Sequence, residues 1–101
     1  MRALRVRPEG LVYEEAPEPR LEPGDVLVRV ASAGLNYADI SNFLNATPDQ
    51  MPMPIGLEAG GTVERVGEDV TDIQVGDRVC FRGATGAFAE LVTVPAWRCA
   101  F

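Results

Sequence analysis

The chain has 101 residues, 15 Asp+Glu against 9 Lys+Arg, and a formal net charge of -6, which predicts one small domain with a single modest core. It holds no His and no Lys, so every cation is an arginine. That excludes His-assisted serine or cysteine nucleophiles, Schiff-base lysines and the lysine-bearing phosphate loop, while the acidic balance argues against nucleic acid.

In chain order, most segments read as strands. Ala3–Arg7 alternates, Pro8-Glu9-Gly10 is a turn, and Leu11–Glu15 returns as a hairpin partner. Pro17, Pro19 and Pro23 mark an extended connection, since proline cannot donate to a ladder. Val26–Ala33 is the strongest predicted strand, with Val26, Val28 and Val30 facing inward or the opposite parity. After Gly34, Asn36 or Asp39 is placed to cap a short helix, with Tyr37, Ile40 and Leu44 along one face. Asn45–Pro54 carries Pro48, Pro52 and Pro54 and reads as an ordered loop. Gly60–Gly67, Arg78–Phe81 and a long alternating Phe88–Val94 are further strands, and Trp97–Phe101 begins one more. Many short strands with turns between them predict a mainly β fold, a small barrel or partly closed sandwich.

No apolar run reaches the length of a membrane span or a signal sequence. Two cysteines, Cys80 and Cys99, make no disulfide framework and point to free thiols in a reducing cytoplasm.

The glycine pairs give no G-x-G-x-x-G. Both lead into strands, whereas a pyrophosphate cradle opens onto a helix, so they read as backbone turns. A closed zinc site needs nitrogen and sulfur donors that this chain lacks, and Cys80 reads as a small buried hydrophobe. Asp39 suits a helix start, where the dipole favours a carboxylate. Glu58, between Leu57 and Ala59, is expected to pair with an arginine, because buried carboxylates need partners.

Several segments carry a family resemblance. Ala31–Asp39 is similar to an "A-x-G-L-N-Y/F-x-D" motif, and Pro54–Val63 to "P-G-x-E-x-A-G-x-V". Val66–Thr71 with Val75–Val79 matches "V-G-x-x-V…G-D-R-V", and Gly86–Pro95 matches "G-x-(F/Y)-A-E-…-V-P-A". Together, in order, they resemble the zinc-independent medium-chain dehydrogenases/reductases of the quinone oxidoreductase group that includes zeta-crystallin.

The resemblance implies a GroES-like distorted β-barrel with one or two short helices over residues 1–101, the catalytic domain. The Rossmann domain that binds most of the NADPH would lie outside this chain, whose apolar end at Phe101 reads as a cut. The resemblance further implies hydride transfer to quinones or conjugated enones, with the isolated domain inactive. Asn36 would border the cofactor. Tyr37 would donate to the developing oxyanion, beside the alternative that it packs in the core. Tyr37, Asp39 and Ile40 would border the carbonyl substrate, with Asp39 orienting the helix start.

Zinc-dependent relatives have a Cys at the position of Asn36 and a His at that of Leu57, so no zinc is expected. The Arg-x-Gly-x-Tyr-like stretch that follows the helix in quinone reductases is absent from Asn42–Thr47, which leaves the substrate's identity open. A homodimer or small oligomer is expected from the apolar face that such a cut bares. The competing class is a non-catalytic GroES-like binding module of the co-chaperonin type.

Overall fold

The computed structural model describes residues 1–101. β1 (Arg2–Arg7) and β2 (Gly10–Glu15) form the expected hairpin, with Arg7 opposite Gly10. Gly10 closes the turn at φ 126°, a conformation that costs a residue without Cβ little. The two-residue β4 (Met53–Pro54) pairs with the other edge of β1, giving the order β2-β1-β4.

The second sheet has the order β6-β5-β3-β7 and is antiparallel throughout, built from β3 (Asp25–Gly34), β5 (Glu58–Val66), β6 (Arg78–Arg82) and β7 (Leu91–Pro95). β3 is flanked on both edges, and Val26, Leu27 and Val28 are all buried. Val26 and Val28 lie in the core with Val30 packed against them, the first of the two parities expected, while Leu27 is buried outside that cluster. Its pairing with β5 is irregular between Leu27 and Val28 and again between Val30 and Ser32, and such bulges re-aim side chains. Val26, Val28, Val63 and Val94 are essentially solvent-free and join Phe81, Ile73 and Ala87 in the core.

The expected Phe88–Val94 strand is divided. Phe88–Glu90 runs along β1, with Leu4 N–H donating to Phe88 O at 2.8 Å and Glu90 N–H to Arg2 O at 3.0 Å. Leu91–Pro95 pairs with β3, and Glu90 O, at the junction, accepts from Val30 N–H at 2.9 Å. One extended segment thus changes sheets, as strands do at barrel corners. The sheets stay open, and the whole is the mainly β, distorted-barrel architecture expected.

α1 (Tyr37–Asn45) is the one α-helix. The segment read as a plain loop contains a 3-10 turn at Pro48–Gln50 and β4. The tail read as a new strand is a 3-10 turn at Ala96–Arg98, followed by a single bridge between Ala100 and Cys80. That bridge covers the outer edge of β6. Cys80, read as buried, is exposed, while Cys99 is partly buried and packs on the core. The bridge explains the difference: Cys80 shares the outer sheet face with Ala100, and its neighbour Cys99 turns inward. No helix is long and apolar enough to cross a membrane.

Candidate functional site

The site grows from a row of residues at one end of the second sheet. Gly34 of β3 lies opposite Glu58 of β5, which lies opposite Arg82 of β6. Paired residues in adjacent strands share a face, so the Glu58 carboxylate sits between a glycine and a guanidinium. A side chain at Gly34 would collide with Glu58 Oε1, so the absent Cβ makes room for the acid. Arg82 Nε stands 3.6 Å from Glu58 Oε2, the arginine pairing expected of Glu58. The other oxygen, Oε1, accepts from Asn36 Nδ2 at 3.1 Å.

Asn36 is the N-cap of α1 and forms a capping box with Asp39 at N3. Asp39 Oδ2 accepts from Asn36 N–H at 2.8 Å. Asp39 is the one buried polar residue, at 1% exposure, and its Oδ1 has no hydrogen-bond donor. Glu58, Asn36 and Asp39 thus form a connected polar chain from sheet to helix. It fixes the backbone at the point where Tyr37 leaves the surface.

Tyr37 is 85% exposed, so it does not pack in the core. Ile40 and Leu44 on the same face are exposed too, as is Leu35 before the helix. The apolar stripe that reads as a core face is turned outward, and the residue α1 buries is Asp39. The structure therefore brings Asn36, Tyr37 and Ile40 to one accessible helix start and places Asp39 beneath them. No three His, Cys, Asp or Glu side chains cluster closely enough to hold a metal ion.

A groove of about 870 Å³ opens beside this row. Its floor is the outer face of the second sheet, and Arg82, Trp97 and Arg98 stand along it. Sequence reasoning missed this feature, because its walls come from separate segments that only the strand register assembles.

The fold and this helix start define a GroES-like domain of the alcohol dehydrogenase type. The family model described as "Alcohol dehydrogenase GroES-like domain" matches residues 22–100, and the chain belongs to that family. Among curated proteins it is 41% identical over 80 residues to the "Synaptic vesicle membrane protein VAT-1 homolog" of Danio rerio, covering 76% of this chain and 16% of that one. It is 42% identical over 94 residues to a Leishmania amazonensis protein named "Probable quinone oxidoreductase", covering 90% of this chain and 26% of that one.

Among solved structures, a mycobacterial protein complexed with NADPH superposes with a TM-score of 0.87 at 37% identity, covering 99% of this chain and 33% of that one. The Escherichia coli quinone oxidoreductase complexed with NADPH gives a TM-score of 0.89 at 26% identity, covering 100% of this chain and 33% of that one. The chain thus spans between a sixth and a third of these relatives' lengths. It corresponds to the N-terminal domain of the quinone oxidoreductase group of medium-chain reductases.

Proposed function

We propose that this chain is the substrate-side domain of an NADPH-dependent, zinc-independent oxidoreductase that reduces quinones or conjugated enones. The observation that carries the reading is the accessible Tyr37, held beside Asn36 at the start of α1, in a domain shared with NADPH-bound relatives.

The residues fit the nicotinamide end of the cofactor. Asn36 offers an uncharged side chain at a fixed helix start, steadied by Glu58 and Gly34 O. They do not supply a pyrophosphate cradle, since no glycine-rich turn opens onto α1. A dinucleotide-binding domain is therefore assigned to a separate part of the enzyme, and residues 1–101 to catalysis. When bound, NADPH supplies the hydride. Tyr37 then donates its hydroxyl proton in a hydrogen bond to the carbonyl oxygen as negative charge develops there. Ile40 offers an apolar wall to a planar substrate. Asp39, being buried, acts as a positioning residue that holds Asn36. Cys80 and Cys99 point to opposite faces and stay free thiols, which suits a reducing cytoplasm.

The test is turnover of NADPH with a naphthoquinone and with an enone. The chain alone is expected to give none. Joined to the dinucleotide-binding domain of the E. coli relative, it is expected to turn over. Tyr37→Phe should then lower kcat by about 10²-fold, the usual loss for one oxyanion donor. Turnover by the isolated chain, or an unaffected Tyr37→Phe chimera, would reject these assignments.

A further inference from the structure

Apart from Glu58 and its partner Arg82, the outer face of the second sheet is not used by the reading above. Its side chains follow from the register: Ser32, Gly60, Cys80 and Ala100 lie in one row across β3, β5, β6 and the tail. Small side chains in a row leave a flat floor. A second depression, over Thr62 and Arg78 and reaching Phe101, shares Ser32, Gly60 and Cys80 with the first. The two form one continuous groove.

Its charge is opposite to that of the molecule. Arg78, Arg82 and Arg98 line it and Glu58 is the only acid, in a chain of formal net charge -6. Glu58 is already matched by Arg82 and Asn36. Neither Arg78 nor Arg98 pairs with any carboxylate. Arg98 is exposed but stacks on its neighbour. Its guanidinium carbon lies 4.4 Å from the centre of the Trp97 ring, a cation–π distance. Gly83, at φ 82°, leaves the guanidinium room, since a Cβ there would meet it. A cation already stacked on an aromatic ring has fewer conformations to lose on binding an anion. Trp97 itself is 76% exposed, a large aromatic surface beside a flat floor.

We infer that this groove binds a planar anion, an aromatic or conjugated ring bearing a carboxylate or phosphate. The ring lies on the small-residue floor against Trp97, and its charge meets Arg98 and Arg82. The groove shares Glu58 and Arg82 with the row that steadies Asn36, but no residue of α1 takes part and the test needs no NADPH.

Trp97 is the only tryptophan, so its fluorescence reports on the groove directly. The probes are benzoate, phenyl phosphate, benzyl alcohol and inorganic phosphate, titrated into the 101-residue chain. Benzoate or phenyl phosphate is expected to change Trp97 emission saturably, and which binds tighter identifies carboxylate or phosphate as the preferred charge. Binding should weaken with added salt, as charge recognition at an open surface does. Arg98→Gln and Arg82→Gln should each weaken it by about 3–10-fold, the size of a part-exposed charged contact. Arg20→Gln, on the connection before β3, should leave it unchanged. Saturating benzoate or phenyl phosphate should also slow alkylation of Cys80 by a neutral maleimide, measured on the folded wild type. The inference fails if benzyl alcohol binds as tightly, if inorganic phosphate matches phenyl phosphate, if neither arginine variant weakens binding, or if no probe saturates.

Discussion

Glu14 shows how a single residue ties the N-terminal hairpin together. It projects from β2 between Arg5 and Arg7 of β1, with nitrogen–oxygen distances of 2.7 Å to each. The Arg7 hydrogen bond, seconded by Arg5, holds its carboxyl below the usual carboxylate range. A carboxylate whose folded value is depressed contributes stability above its unfolded value, and loses it as pH falls through the folded one. Thermal melts should therefore show Glu14→Gln less stable than wild type at neutral pH. The gap should close as pH drops below about 4, the ordinary carboxylate value. A gap that persists unchanged in acid would mean that Glu14 acts through packing alone. This pairing was not foreseen, because alternation gives the two strands but not which charges face each other across them. Glu58 was more legible: a carboxylate inside an apolar run demands a partner, and Arg82 is that partner. Asp39 was legible as a helix-start residue but not as the one α1 buries.

At the scale of elements, the glycines of β5 separate close approach from simple economy. A Cβ at Gly61 would overlap the carbonyl oxygen of Arg29, a backbone atom of the neighbouring strand. At Gly60 the nearest atom would be Val79 O at 3.4 Å, an ordinary contact. Gly61→Ala is thus expected to cost about 1–3 kcal/mol, the usual range for overpacking, and Gly60→Ala little. Urea unfolding of both variants checks the contrast, and equal midpoints would refute it. The strands and their turns could be read from period-two alternation, which is local. The helix could be placed but not oriented, because a Tyr37–Ile40–Leu44 stripe has the spacing of a core face whether or not a core lies beneath it. The division of Phe88–Val94 between two sheets left no mark on its alternation, which is a local pattern and does not report which strand is the partner.

Across the whole molecule, polar and apolar surface are unevenly shared. Leu35, Tyr37, Ile40 and Leu44 lie exposed around one helix, a concentration that in soluble proteins marks an interaction face. For the chain by itself, a second copy is the available partner, and the net charge of -6 opposes further growth. Light scattering over a dilution series should show a reversible monomer–dimer equilibrium, shifted to monomer by Ile40→Glu with Leu44→Glu. A concentration-independent monomer that binds no hydrophobic dye would refute this.

The segment that leaves β1 at Glu90 and joins β3 at Leu91 also sets an order of events during synthesis. Arg2 and Leu4, among the first residues made, are bonded to Glu90 and Phe88, and Asp25–Arg29 waits for Leu91–Pro95. The second sheet is complete only once Leu91–Pro95 has left the ribosome, whereas the strands of the first lie within residues 2–54. Such distant pairings are slow to find, so until residues 91–95 emerge the nascent chain carries a half-built sheet, with one edge of β3 unpaired.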